Sequence, residues 1–213
     1  MIRKTIPVQE ARDLYNRKGL KFGEGSGFEQ RAKALALQEI AASSGQWVLN
    51  VGVGTGNEHA ALLAAIGEDG RVVGVDIARK MLLETRRRTG AADFVEGDGR
   101  FLPFAENTFD RVFCSYVLDL IEYDMIPAWI AAFKRVVKPG GKVVWTTIAP
   151  GEGVLSRLIV GVWQGVYRVR PALLGGCRPV RMVSMVEGVG FTAVTSTLVV
   201  QWGVPSEVVT AVK

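Results

Sequence analysis

Three glycines fall at alternate positions in Val48-Leu-Asn-Val-Gly-Val-Gly-Thr-Gly-Asn57, where a short apolar run meets a helical pattern. Glycine lets the main chain bend tightly between strand and helix and approach a bound group closely. A second apolar run, Arg71-Val-Val-Gly-Val-Asp76, ends in a carboxylate about twenty residues beyond those glycines, the spacing at which an acid reaches the hydroxyls of a ribose. Gly52, Gly54, Gly56 and Asp76 therefore predict a nucleoside-binding turn. The dinucleotide fingerprint G-x-G-x-x-G requires glycine where this chain has Asn57, which argues against a nicotinamide dehydrogenase.

These residues need a scaffold of strands that end where helices begin. Apolar strand patterns fall near 46–51, 71–76, 92–95, 109–115 and 141–148, and helical patterns near 57–66, 78–89 and 125–137. That alternation predicts an α/β fold, a parallel sheet with helices on both faces. Residues up to about 44 read as helical, interrupted by a glycine-rich loop, Gly19 to Gly27, expected to be mobile. Arg178 to Gly188 reads as the last helix. The β-rich runs Phe191 to Val200 and Val204 to Val212 are joined so closely that they must be antiparallel. No repeat or linker interrupts the chain. One domain over 1–213 is expected, with a helical cap (1–44), a cofactor-binding core (45–150), a substrate-covering insertion (151–177), and a last helix and hairpin (178–213).

With 213 residues, 48% hydrophobic and 22% charged, the composition is that of a globular domain able to bury its own core. Cys114 and Cys177 lie far apart, without metal or redox spacing, so no metal is expected and a reduced, cytoplasmic setting is. No apolar run is long enough to span a bilayer, and the N-terminus lacks the apolar core of a signal peptide. The net charge of +5 is uneven: between Gly151 and Val186 five arginines face one acid, Glu152. Such a block suits an anionic substrate, an anionic membrane surface or nucleic acid, or is a solvated helical face. Within it, the uncharged run Leu158 to Tyr167 is flanked by Arg157, Arg168 and Arg170. It suits a lipophilic acceptor or peripheral membrane contact, or is a packed cap helix or dimer contact.

Further motifs follow the glycine turn in order: Glu96-Gly-Asp-Gly99, Leu102-Pro-Phe104 with Thr108-Phe-Asp110, and Val137-Lys-Pro-Gly-Gly141. With the turn and Asp76 they resemble the class I S-adenosyl-L-methionine-dependent methyltransferases, of the type that includes the ubiquinone and menaquinone biosynthesis C-methyltransferases. The resemblance covers roughly residues 45 to 150. It implies a Rossmann-like, doubly wound, seven-stranded sheet, mostly parallel with an antiparallel C-terminal hairpin strand. The implied cofactor is S-adenosyl-L-methionine, released as S-adenosyl-L-homocysteine. The implied contacts are Asn50, Gly52, Val53, Gly54, Gly56, Asp76, Ile77, Met81, Gly97, Asp98, Gly99 and Ser115, with Asp76 on the ribose and Asp98 on the adenine amino group. Asn50 departs from the family, which usually carries an acid there to hold the positively charged methionine end. An amide makes that contact without charge assistance. Glu58, in the following helix, is a nearby acid.

Methyl transfer depends on alignment and exclusion of water, and needs a base only if the acceptor starts protonated. Tyr116 and Asp119, after the fourth strand, and Tyr15, where many relatives have a tyrosine near the cleft, are the catalytic candidates. The single histidine, His59, is expected to be packed or at the surface. Cys114-Ser-Tyr-Val117 lacks the Asn/Asp-Pro-Pro-Tyr/Phe of enzymes that methylate exocyclic base amines, and no aromatic-interleaved basic stretch is present, so nucleic acid is not an expected partner. The expected function is methyl transfer to a small, hydrophobic acceptor, a prenylquinone or an amine-headed phospholipid. A soluble metabolite or natural product is the alternative acceptor, and a non-catalytic adenosylmethionine-binding protein is the alternative from another class.

Overall fold

The apolar runs Trp47–Val51 (β1), Arg71–Asp76 (β2), Phe94–Glu96 (β3), Phe109–Ser115 (β4) and Val137–Ile148 (β5) pair side by side in parallel. Thr192–Gln201 (β6) and Val204–Val212 (β7) close the sheet as an antiparallel hairpin, giving the order β3-β2-β1-β4-β5-β7-β6. The computed structural model describes residues 2, 5–25, 27–91 and 93–213. Ser26 and Ala92, at the edges of the predicted loop and third strand, lie outside the described residues.

Seven α-helices accompany the strands: Val8–Gly25 (α1), Gln30–Ile40 (α2), Asn57–Ile66 (α3), Arg79–Thr89 (α4), Ile126–Val136 (α5), Val154–Val169 (α6) and Val183–Gly188 (α7), among the described residues. Successive strand residues point to opposite faces, and both faces of the central strands β1, β2, β4 and β5 are covered, so those strands read largely as apolar runs. Val48, Val72 and Val144 pack with Ala36, Ile40 and Leu62 of α2 and α3. Leu49, Val73 and Val143 pack on the other face with Ile130, Phe133 and Val186 of α5 and α7. Fully buried Trp145 anchors this second layer, stacked on Phe133 at 6.3 Å and edge-on to Phe191 at 5.4 Å.

The fold corrects three readings of the sequence. The segment from Gly19 onward was expected to be a mobile loop, yet α1 runs through it to Gly25. Gly19 lets α1 approach α4, since a side chain there would stand 2.8 Å from Met81 Cε. The last helix starts at Val183 rather than Arg178. Pro179 disfavours helix at Arg178, and the Val180 N–H donates to Ile148 O at 2.8 Å, drawing this stretch against the end of β5. Val137 to Gly141, leading into the strand pattern expected at 141–148, lies inside β5 as a bulge. Phe109 pairs with Val137 while Arg111 pairs with Lys142. The arginine-rich segment beyond β5 forms α6 and a 3-10 turn, Pro171–Leu174.

Candidate active site

Strand order reverses between β1 and β4, which are neighbours although β2 and β3 intervene in sequence. Connections leave the two strands in opposite directions, so a crevice opens beyond their C-terminal ends. The glycine turn enters it from β1. The Gly52 N–H donates to Val75 O at 2.7 Å, and Gly52, Gly54 and Gly56 have φ of 77°, 54° and 87°. A side chain on Gly52 would fall 2.2 Å from Val117 Cγ2, whereas one on Gly54 would meet nothing within 4 Å. Asp76, ending β2, folds back on this turn: Oδ2 accepts the Gly54 N–H at 3.2 Å and Oδ1 the Ala78 N–H at 2.8 Å. Burial lifts its carboxyl to about 6 from the ordinary 3.8, against the pull of backbone N–H groups of Ala78, Gly54 and Ile77.

The crevice widens into a cavity of about 600 Å³, inside the range of roughly 300–1,000 Å³ common for small-molecule sites. Eleven of the twelve expected cofactor contacts line it: Asn50, Gly52, Val53, Gly54, Asp76, Ile77, Met81, Gly97, Asp98, Gly99 and Ser115. Gly56 does not. It starts α3, and a side chain there would meet Thr85 of α4 at 2.9 Å, so this glycine serves helix packing. The buried Ser115 hydroxyl has no partner among the described residues and stands in the cavity wall. Asp98 is bound by the Arg100 guanidinium at 2.6 Å. Asn50, 2% exposed, lies with Nδ2 3.4 Å from Nδ1 of His59. Burial lowers the His59 pKa to about 4, so a neutral, packed imidazole faces the amide, as expected of this residue.

Glu58 also lines the cavity, 3.2 Å from Lys33 of α2, which in turn reaches Glu29 at 2.9 Å. In all, five carboxylates (Glu29, Glu58, Asp76, Asp98, Glu122) and two cations (Lys33, Arg100) line the wall of a chain whose net charge is +5. The excess of acid concentrates negative potential where the rest of the molecule is basic. Glu29 and Lys33 carry no motif and were not legible as site residues.

Beyond the glycine turn the wall becomes apolar and comes from elements distant in sequence. Phe28, Trp163, Leu174 and Cys177 line it with Tyr15 and Tyr116. The Tyr15 hydroxyl donates to Gly175 O at 3.2 Å, and Trp163 Nε1 donates to Cys177 O at 2.9 Å, tying α1 and α6 to the segment after the 3-10 turn. Tyr116 adopts φ 53° at the end of β4, and its hydroxyl lies 2.7 Å from Ser206 Oγ. Burial raises the pKa of Tyr116 well above that of a free phenol. Of the three catalytic candidates, Asp119 alone stands outside the cavity. It is fully buried behind the wall, where Oδ2 takes the Ile148 N–H at 3.5 Å and burial pushes its carboxyl to about 7. Arg178 is fully buried nearby, its Nη2 donating to Ile121 O, and so leaves the basic surface block in which the sequence placed it.

Residues 48–141 match the family model for a methyltransferase domain. That segment carries a methyltransferase domain. Among curated relatives, the demethylmenaquinone methyltransferase of Renibacterium salmoninarum is 38% identical over 118 residues, covering 55% of this chain and 48% of that one. The chain thus spans about half the length of the curated relatives it matches. A SAM-dependent methyltransferase from Aquifex aeolicus superimposes with a TM-score of 0.66 at 19% identity, over 93% of this chain and 98% of that one. The N-methyltransferase NodS from Bradyrhizobium japonicum, solved with S-adenosyl-L-homocysteine, gives 0.67 at 14% identity, over 96% and 97%. At these identities the structural likeness is one of fold. It extends the shared fold beyond the matched segment to nearly the whole chain.

Proposed function

We propose that this chain methylates a small, hydrophobic acceptor held at the apolar end of the cavity. S-adenosyl-L-methionine is the cofactor of this methyltransferase domain, and the residues present fit it. The glycine turn leaves a cradle at Gly54 that any side chain would begin to fill, Ser115 offers an unpartnered hydroxyl, and the acid excess suits a sulfonium cation. In this reading Asp76 accepts the ribose hydroxyls, Asp98 takes the adenine side, and Asn50 with Glu58 borders the methionine end. Bound there, the cofactor supplies a methyl group on positively charged sulfur, which a nucleophile displaces to leave S-adenosyl-L-homocysteine. Tyr15, Tyr116 and Trp163 then shape the acceptor's approach and exclude water.

The observation that carries the acceptor class is the change of wall along one cavity, from main chain and carboxylates to Phe28, Trp163 and Leu174. An apolar wall of this kind supports a prenylquinone ring or an amine-headed phospholipid over a polar metabolite. The test is release of S-adenosyl-L-homocysteine from purified protein and cofactor, offered a demethylated prenylquinol, phosphatidylethanolamine or a panel of soluble amines and phenols. Turnover with either lipid supports the reading. Turnover confined to a soluble acceptor overturns it and leaves the cofactor assignment standing.

A further inference from the structure

One face of α6 covers the cavity and the opposite face is bare. Ser156, Val160 and Tyr167 are buried against the protein, and Trp163 reaches the cavity wall. On the outer face Leu155, Leu158, Val162 and Val169 are 66%, 64%, 70% and 80% exposed. At 3.6 residues per turn these four form one stripe along the full length of the helix. Arg157 and Arg168, roughly three turns apart, lie together along one flank of that stripe. Both are exposed, and neither has an ion-pair partner among the described residues. Trp202, 75% exposed at the turn between β6 and β7, stands beside the helix: a side chain on neighbouring Gly203 would fall 2.1 Å from Ile159 Cδ1.

We propose that this face of α6, with Trp202 at its edge, rests on an anionic lipid surface. An apolar stripe sunk at the headgroup boundary, with arginines along its rim meeting lipid phosphates, is the arrangement of an interfacial helix. Tryptophan suits the same depth, with an apolar body and one polar N–H. The helix lies on the bilayer rather than across it, since no helix among the described residues is long and apolar enough to span. Charge selects lipid over a second copy of the chain. The sequence of α6 holds two arginines and no acid, so a two-fold contact of α6 with itself would gather like charges. The proposal goes beyond the acceptor reading, and a hydrophobic acceptor dissolved in that surface would meet the cavity beneath the same helix.

Vesicle flotation of the full chain tests it, with phosphatidylcholine alone and with phosphatidylcholine mixed with phosphatidylglycerol. Neither cofactor nor turnover is involved, so failure here is distinct from failure of the acceptor assay. The parent protein should float with the mixed vesicles and lose association as salt is raised. Changing both Arg157→Gln and Arg168→Gln should weaken partitioning on the order of tenfold or more, at about 1 kcal/mol for each arginine near a charged surface. Leu158→Ser with Val162→Ser should weaken it by a similar factor, with unchanged circular dichroism because both side chains are exposed. A parent that stays with the unbound fraction overturns the proposal, as do variants that float like the parent. A dimer in sedimentation that the Leu158→Ser, Val162→Ser protein no longer forms overturns it too, by assigning the face to a second copy.

Discussion

At one end of the cavity the wall is main chain and short polar groups. Gly52 is bonded to β2, Gly54 is bonded to Asp76, and Ser115 ends β4, all within the crevice set by the strand order. At the other end it is side chains from α1, α6 and the segment after the 3-10 turn, joined by single bonds such as Tyr15 to Gly175 and Trp163 to Cys177. The first end is fixed by the sheet's register. The second can change its side chains without disturbing a strand. A domain built this way keeps its cofactor while its acceptor varies, as expected when function lies in a site grafted on a common fold.

The sharpest way to break that contrast is to add a methyl group to the rigid end. Gly52→Ala forces a left-handed residue, at about 1–2 kcal/mol, and overpacks against stiff Val117, at about 1–3 kcal/mol. We expect a loss of roughly 2–5 kcal/mol in urea unfolding and no cofactor binding. Gly54→Ala meets nothing within 4 Å, so it should cost only the conformational part, about 1–2 kcal/mol, yet it should still weaken cofactor binding because its methyl enters the cavity. Equal destabilisation by the two changes would show that the turn does not divide into a packed glycine and an open one.

Asp76→Ala comes next. On the proposed ribose contact it removes a charged acceptor, and it should weaken binding of S-adenosyl-L-homocysteine in calorimetry by on the order of 1.5–3 kcal/mol. Unchanged affinity would put the ribose elsewhere. The pH dependence sharpens the same point. The fold holds this carboxyl near about 6 and the unfolded chain holds it near 3.8. Between those values the fold keeps a proton that the unfolded chain has lost, so this group's contribution to stability declines as pH rises toward 6. Affinity runs the other way, since the ionised form accepts hydroxyls. Binding should therefore weaken as pH falls through about 6, and Asp76→Asn should flatten that profile.

The two ends were unequally legible for the same physical reason that they differ. A strand-to-helix bend with an acid after the next strand is encoded by neighbours in sequence, because main-chain geometry demands glycine there and allows little else. Eleven of the expected contacts accordingly stand in one cavity wall. Gly56 stands outside that wall, and a glycine that packs a helix against Thr85 looks the same in sequence as one that faces a ligand. The far wall depends on long-range packing. Glu29, Lys33 and Cys177 have no local signal, and only the apolar run around Trp163 hinted at a cover. Asp119 turns behind the wall, and position after β4 does not say which way a side chain points. The continuation of α1 past Gly19 was hidden because glycine there permits contact with Met81 rather than a loop.

Tyr116→Phe probes the flexible end with a smaller effect. Its hydroxyl is engaged by Ser206 and its proton is held firmly by burial, so it is placed to shape the pocket rather than to exchange protons. The variant should lose about 1 kcal/mol of stability for the broken hydrogen bond. Its methyl-transfer rate should fall by less than tenfold; a fall of about 10²–10⁴ would make the phenol a general base after all.

Asn50→Asp is the finest test, because it asks whether the rigid end can be tuned without being broken. The amide now faces a neutral imidazole that burial keeps at about 4, and the Glu29–Lys33–Glu58 cluster lines the same cavity. A carboxylate at position 50 would add a charge beside the cationic sulfur and draw a proton onto His59. A charge-assisted bond exceeds a neutral one by about 1 kcal/mol. The variant should therefore favour S-adenosyl-L-methionine over uncharged-sulfur S-adenosyl-L-homocysteine by roughly five- to tenfold more than the parent does, measured by competition calorimetry. An unchanged ratio would mean that the sulfur lies away from Asn50, and that other acids of the cavity, such as Glu58, supply the negative potential.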